Sequence, residues 1–311
     1  MKLDKRNLNR RAFLWSMAAI GAAVPFVRPR ISAASSAVRT KAIPSTGERI
    51  PVIGMGSWLT FNVGGDPQAR EVRVQVLKAF FEMGGGMVDS SPMYGESEKV
   101  IGHGLSRIAD TETLFSATKM WTPFQWHGKQ QIAISEKLWG EDRFDLMQIH
   151  NLVAWEAHLE TLLEAKAAGR VRYIGVTTSH GNKHGELERV MAKQPIDFVQ
   201  FSYNVLDREA EKRLLPLAAE RRLAVIVNRP FQTGGLFDRF DRHPLPPWAA
   251  DFDCANWAQF FLKFVVSHPA VTCAIPATTR VDHMLENMGA GRGRLPDPKT
   301  RQRMVRYVES L

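Results

Sequence analysis

The chain has 311 residues, 44% of them hydrophobic and 23% charged, which is the composition of a globular protein with a sizeable core. This length allows one barrel-sized domain or two small ones. The formal net charge is +9, but seven basic residues and one acidic residue lie within the first 37 positions, which leaves +3 for the remainder. A charge placed so unevenly gives no reason to expect nucleic-acid binding.

The first 37 residues have the three regions of an export signal. Arg10 and Arg11 form a twin arginine, an apolar stretch runs over residues 12–27, and small residues follow over 32–37. We therefore predict a twin-arginine export signal over residues 1–37, followed by one folded domain over residues 38–311.

This signal implies a bacterial protein of the periplasm or the exported fraction. Such a protein meets the twin-arginine export machinery and touches the membrane only transiently, through its leader. An uncleaved leader would instead be a membrane anchor. Because the apolar stretch is shorter than the roughly 20 residues needed to span a bilayer, we favour cleavage near Ala34 or Ala37.

After the leader, short β-rich runs alternate with segments of helical periodicity. A hairpin is predicted over Ile43–Ile53, and eight strand–helix units then predict a (β/α)8 TIM barrel that ends in a C-terminal helix. A doubly wound open sheet is the competing architecture, but the chain lacks its full Gly-rich phosphate loop. The predicted barrel strands are Val52–Ser57, Met87–Ser90, Leu114–Ala117, Phe144–Ile149, Arg172–Val176, Phe198–Ser202, Ala224–Val227 and Val271–Ile275. The predicted helices include Gln68–Met83, Glu96–Ile108, Ala157–Ala168, Glu209–Arg222 and Asn256–Ser267.

The longest connection without a periodic pattern is Phe231–Asp253, rich in Pro, Asp and Arg. A loop of that length in a compact barrel is typical of a lid over an active site, so we predict a lid that includes Trp248.

Chemically useful side chains follow successive predicted strands. Asp89 and Tyr94 come after the second barrel strand, Lys119 after the third and His150 after the fourth. Taken singly, each is better explained by a structural role: Asp89 as a helix cap, Tyr94 as a rim aromatic, Lys119 as a surface cation and His150 as a core histidine. Because functional groups of a barrel lie at the carboxyl ends of its strands, the four together indicate an active site.

These segments resemble the aldo-keto reductase family. Asp89-Ser-Ser-Pro-Met-Tyr94-Gly95-Glu-Ser-Glu98 is similar to its aspartate–tyrosine block, Thr118-Lys119 to its lysine strand and Asp145-Leu-Met-Gln-Ile-His150 to its histidine strand. The resemblance runs from about residue 42 to the C-terminus. It implies an NAD(P)H-dependent oxidoreductase that reduces an aldehyde or ketone, or oxidises an alcohol.

The resemblance also implies a role for each member of the set. Tyr94 would be the general acid, Lys119 would lower the pKa of Tyr94, Asp89 would hold Lys119, and His150 would orient the substrate oxygen. The chemistry fits these residue types. A tyrosine hydroxyl is a weak acid at neutral pH unless a nearby cation favours the tyrosinate.

The cofactor site that the resemblance implies departs from the family pattern in places. Thr178 and Asn228 stand where the family has an asparagine and often an aromatic, so the stacking platform falls to Phe231 or Tyr203. Arg280 favours NADP(H), although NAD(H) remains possible. The implied cofactor residues are Thr177, Thr178, Gln200, Arg229, Phe231, Thr278, Arg280, Glu286 and Asn287.

The implied substrate is a small-molecule carbonyl compound or alcohol, held by Trp58, Trp121 and Asn151. We expect no metal site, since His180 and His184 have helical spacing but lack a carboxylate partner. Two alternatives remain open. One is a cofactor-holding regulatory protein with little turnover, and the other is a metal-dependent hydrolase.

Overall fold

The computed structural model describes residues 37–179 and 181–311, so residues 1–36 of the predicted export signal and His180 lie outside the described residues. Eight parallel strands run in chain order around a barrel. A bridge between Ile53 and Ala274 joins the first strand region to the last. The predicted (β/α)8 architecture is confirmed. The barrel strands are β3 Met55–Gly56, β4 Met87–Asp89, β5 Phe115–Met120, β6 Phe144–Ile149, β7 Val171–Thr177, β8 Phe198–Ser202, β9 Ala224–Asn228 and β10 Cys273–Ala274.

Helices follow the strands and bury their apolar faces against the barrel. In the first of them, the Asp66 carboxylate accepts two backbone N–H groups at the helix start, and Pro67 follows it. The predicted C-terminal helix is α10. The helices are α1 Pro67–Glu82, α2 Ser97–Leu105, α3 Gln125–Trp139, α4 Trp155–Ala167, α5 His184–Lys193, α6 Leu214–Arg221, α7 Gly235–Phe240, α8 Trp257–Val266, α9 Val281–Gly289 and α10 Pro298–Glu309.

The predicted hairpin closes one end of the barrel. Its strands are β1 Thr40–Ala42 and β2 Arg49–Pro51, paired antiparallel. Ile43 and Ile50 are buried in one cluster with inward-facing residues of the barrel strands, such as Phe115. The end of the barrel that the hairpin closes is therefore apolar, and the polar groups inside the barrel are concentrated toward the other end.

Several predicted boundaries differ from the structure, and one of them concerns the site. Strand β5 continues to Met120, so Lys119 lies inside a strand and pairs in register with Gln148 rather than standing in a loop. Glu209–Arg222 is not one helix, because a short 3-10 turn over Glu209–Glu211 precedes α6.

The segment predicted as an irregular lid is folded. Phe231–Asp253 contains α7 and a 3-10 turn over Pro247–Phe252, and its buried residues include Phe240. Trp248 packs on Phe252, Phe260 and Tyr307, so it belongs to the helical layer. Apolar side chains at helical spacing explain why this stretch folds against the barrel. Within residues 37–179 and 181–311, no helix has the length and apolarity to cross a membrane.

Candidate active site

A buried ion pair lies at the carboxyl ends of β4 and β5. Lys119 Nζ donates to Asp89 Oδ2 at 2.5 Å and to the Ser90 carbonyl at 2.8 Å. Lys119 is 1% exposed and Asp89 2%. Burial alone would favour the neutral amine, but Asp89 and Tyr94 together outweigh it and raise the pKa of Lys119 above its usual range. Lys119 is therefore a cation at neutral pH.

A chain of amides fixes the other oxygen of Asp89. Gln148 Nε2 and Gln200 Nε2 donate to Asp89 Oδ1 at 3.0 and 3.1 Å, and Asn228 Nδ2 donates to Gln200 Oε1 at 3.2 Å. Gln200 is thus engaged in orienting Asp89. Gln148 was missed by sequence reasoning, yet it stands two residues before His150, and alternate residues of a strand share a face.

Tyr94 is carried by a short turn next to this pair. The turn is a 3-10 helix over Pro92–Tyr94, and Ser91 Oγ accepts the Met93 N–H at its start. Lys119 Nζ lies 5.3 Å from the centroid of the Tyr94 ring. Burial raises the pKa of Tyr94, and the neighbouring Lys119 opposes that shift without cancelling it. Tyr94 therefore keeps its proton at neutral pH.

His150 follows β6 and faces Tyr94 edge to face, with ring centroids 5.6 Å apart. Burial, aided by the Lys119 charge, lowers the pKa of His150 to about 3. The imidazole is therefore neutral across the physiological range. Its Nδ1 lies 2.8 Å from Ser91 Oγ.

These groups open into one cavity of about 620 Å³ at the carboxyl end of the barrel. The wall also includes apolar side chains that were not predicted, among them Leu59, Met93 and Phe237, and one further titratable group, His283. Lys119 stands behind the wall, next to Asp89. The predicted site residues in the wall are Trp58, Asp89, Tyr94, His150, Asn151, Thr177, Gln200, Arg229, Phe231 and Thr278.

The sequence model of the Aldo/keto reductase family matches residues 52–302, which is most of the chain. The chain belongs to the aldo/keto reductase family. The predicted fold and the prediction of an aldo-keto reductase enzyme are thereby confirmed.

Three relatives place this aldo/keto reductase among known proteins. Methylglyoxal reductase YeaE of Escherichia coli (strain K12) is 27% identical over 261 residues, covering 80% of this chain and 89% of the relative. The crystal structure of an aldo-keto reductase from Klebsiella pneumoniae in complex with NADPH matches with a TM-score of 0.72 at 20% identity, covering 88% and 95%. The thermostable aldo-keto reductase Tm1743, in complex with the inhibitor epalrestat, matches with a TM-score of 0.69 at 26% identity, covering 88% and 99%.

Of the residues assigned to the nicotinamide end of this aldo/keto reductase, some line the cavity and others do not. Phe231 lines the cavity, whereas Tyr203 is buried away from it, with its hydroxyl donating to Glu211, so the stacking platform cannot be Tyr203. Thr178 Oγ1 is buried and finds no hydrogen-bond partner within residues 37–179 and 181–311. A buried hydroxyl without a partner is costly. Thr177 Oγ1 accepts the Asn151 N–H at 3.0 Å and so positions that loop.

The other end of the cavity reaches the start of α9, where Thr278 and His283 line it. Arg280, the residue expected to favour NADP(H), does not line the cavity. Its Nε donates to Asp282 Oδ1 at 2.9 Å and its Nη2 to the other Asp282 oxygen, and both side chains are exposed. Trp121, Thr178, Glu286 and Asn287 are also absent from the wall.

The described residues contain no group of three His, Cys, Asp or Glu side chains that could hold a metal ion. Cys254 and Cys273 are buried free thiols.

Proposed function

We propose that this chain reduces aldehydes or ketones to alcohols, or runs the reverse reaction, with NADP(H) as cofactor and Tyr94 as general acid. The observation that carries the proposal is the assembly of the Asp89–Lys119 ion pair, Tyr94 and His150 at one cavity. NADPH, when bound, supplies the hydride that the carbonyl carbon accepts. The chain's own residues supply the proton and orient the carbonyl group.

Tyr94 has the protonation state that reduction requires. As the carbonyl carbon gains the hydride, its oxygen becomes an alkoxide, and the proton of the Tyr94 hydroxyl passes to that oxygen. Tyr94 is left as a tyrosinate beside the Lys119 ammonium. Because Lys119 is held charged by Asp89, it stabilises the tyrosinate without any rearrangement. This complete set supports turnover over the alternative of a cofactor-holding regulatory protein.

His150 would hold the carbonyl oxygen in place. A neutral imidazole donates one hydrogen bond and adds no net charge, so it polarises the carbonyl without competing with Tyr94 for the role of acid. The cavity wall beside it is apolar and aromatic, since Trp58, Leu59 and Met93 contribute to it. These surroundings favour an uncharged carbonyl compound.

The side chains present fit a nicotinamide dinucleotide. We assign the nicotinamide face to Phe231 and a phosphate to the start of α9 beside Thr278, both of which line the cavity. Thr178 does not line the cavity, and its assignment to the carboxamide rests on family resemblance. Glu286 and Asn287 are assigned by family resemblance alone, whereas Arg229 also lines the cavity. The Klebsiella pneumoniae enzyme of the same fold binds NADPH, which supports this choice.

We expect Asp282 to weaken the preference for NADPH, because its carboxylate pairs with the Arg280 guanidinium that would otherwise bind the extra phosphate. Asp282→Asn should therefore raise the affinity for NADPH by about threefold and leave the affinity for NADH unchanged. Titration of tryptophan fluorescence with each cofactor measures this without turnover. Asp110→Asn removes the same charge from the opposite end of the barrel and serves as the control. Equal gains for both cofactors in Asp282→Asn would contradict the assignment of Arg280.

The reaction is tested by NADPH consumption with the purified chain. Methylglyoxal is a suitable first substrate because the Escherichia coli relative is a methylglyoxal reductase. Phenylglyoxal presents the same reacting group on an aromatic body, and the apolar wall predicts a higher kcat/KM for it than for methylglyoxal. Failure to reduce either one, or any other uncharged aldehyde or ketone, would sink the proposal.

We also propose that residues 1–37 export the folded chain through the twin-arginine route to the periplasm, with the cofactor bound beforehand. The support is Arg10–Arg11 ahead of an apolar run. Replacing both arginines by lysine should keep the chain in the cytoplasm, while the same change at Arg28 and Arg30 should not. Native mass spectrometry of the exported protein should find a cleaved leader and bound NADP(H), and an uncleaved chain would instead indicate an anchor.

A further inference from the structure

Ser91 contacts both halves of the catalytic machinery. It is fully buried, and it is the residue immediately before the turn that carries Tyr94. Its Oγ lies 3.2 Å from the Met93 N–H and 2.8 Å from His150 Nδ1. The neighbouring Ser90 hydroxyl is engaged elsewhere, accepting from Ser57 Oγ at 2.9 Å. One hydroxyl thus joins the Tyr94 turn to the His150 ring.

The direction of the second hydrogen bond follows from the donors and acceptors available. Ser91 Oγ accepts from the Met93 N–H, and its own hydrogen needs an acceptor, because an unpaired buried donor is costly. Within the described part of the chain, two groups lie at hydrogen-bond distance from Ser91 Oγ. The Met93 N–H can only donate, so His150 Nδ1 is the group that can accept the Ser91 hydrogen. Ser91 therefore donates, and His150 Nδ1 accepts.

The protonation state of the His150 ring determines which of its nitrogens carries the hydrogen. His150 is neutral at physiological pH, since its pKa is about 3, so it carries one ring hydrogen. If Nδ1 accepts, that hydrogen resides on Nε2. Nε2 has no hydrogen-bond partner among residues 37–179 and 181–311, and His150 lines the cavity. The opposite tautomer would leave the Ser91 hydrogen unpaired and present a lone pair to the substrate oxygen.

We propose that Ser91 is a positioning residue that fixes the Nε2–H tautomer of His150 and so makes this ring a donor to the substrate carbonyl. The inference rests on the proposed function for its consequence, because tautomer choice affects the rate only if a carbonyl oxygen binds beside His150. The tautomer itself can be measured without substrate.

The experiment is nitrogen-15 NMR of the full chain labelled at histidine, with the His150 signals assigned by their loss in His150→Gln. In the unmodified chain we expect a protonated Nε2 and an unprotonated Nδ1. Ser91→Ala should give a mixture of tautomers and lower kcat about tenfold at unchanged NADPH affinity. Ser91→Thr keeps the hydroxyl on an extended backbone and should restore both readouts.

A matched control separates this effect from the loss of any buried hydroxyl. Ser116 is also a buried serine, hydrogen-bonded to Asp145, and Ser116→Ala should leave the His150 signals as in the unmodified chain. A proton on Nδ1 in the unmodified chain would overturn the inference, and so would a pure Nε2–H tautomer in Ser91→Ala. If the tautomers behave as expected but no variant reduces a carbonyl compound, the proposed function fails while the assignment of Ser91 stands.

Discussion

At the scale of single residues, the pair of Lys119 and Asp89 contributes to both stability and chemistry. Both side chains are almost fully buried, and each satisfies the other's charge. Removal of one partner leaves an uncompensated buried charge, which typically costs about 3–5 kcal/mol, whereas removal of both charges is much less costly. Stability and catalysis can therefore be separated by mutation.

Lys119→Met should lower the free energy of unfolding by about 3 kcal/mol and kcat by at least about a hundredfold. The double variant Lys119→Met/Asp89→Asn should recover most of the stability and none of the activity, since the cation beside Tyr94 is still missing. Denaturant unfolding and steady-state kinetics measure the two effects. Recovery of kcat in the double variant would show that Lys119 acts only through folding.

The pH profile of reduction follows from Tyr94 and His150. The pKa of Tyr94 is raised above its usual value, so the acid stays protonated through neutral pH, and reduction slows only when the pH rises past that value. Because His150 protonates only near pH 3, it adds no inflection near its usual pKa. With saturating cofactor, kcat for reduction should be level from about pH 5 to about pH 8. An inflection near pH 6.5 that disappears in His150→Gln would contradict the assigned state of His150.

At the scale of elements, the strand ends explain why the residues predicted to be catalytic lie close together. Asp89 and His150 stand at or just after the ends of β4 and β6, and parallel strands bring those ends together. Lys119 was predicted just after the third barrel strand, whereas β5 continues through it to Met120. Lysine is rarely buried, so a position inside a strand needs a partner for its charge. The carboxylate of Asp89, thirty positions earlier in the chain, compensates the charge of Lys119 and so allows the lysine to be buried inside a strand. No local pattern in the sequence reveals that pairing.

The contact between α2 and α3 depends on Gly102. A Cβ at this position would stand 1.9 Å from the Leu138 carbonyl oxygen. Gly102→Ala gains about 1 kcal/mol of helix propensity, but the forced separation of two packed helices costs more. We expect a net loss of about 2 kcal/mol in the free energy of unfolding, with kcat of the folded protein retained. Gly65→Ala, where nothing lies within 4 Å, should change stability by less than about 0.5 kcal/mol. A more stable Gly102→Ala would refute this packing argument.

At the scale of the whole molecule, the sequence predicted the barrel, its hairpin and its reaction class, but not how distant parts are used. Gln200 was expected on the cofactor, and the structure shows it in the chain of amides that holds Asp89. Arg280 was expected on a phosphate, and its partner Asp282 is only two positions away. Both residue types fit either role. For Gln200 the choice depends on Asp89, which is 111 positions away in the chain, whereas for Arg280 it depends on a neighbouring acidic residue.

The most direct test of the account is single turnover with Tyr94→Phe. NADPH is bound to the purified chain first, and reduction of phenylglyoxal is then followed by the loss of cofactor fluorescence. We expect the rate to fall by at least about a hundredfold while the dissociation constant for NADPH changes less than about twofold. A single-turnover rate in Tyr94→Phe close to that of the unmodified chain would contradict the central claim that Tyr94 delivers the proton.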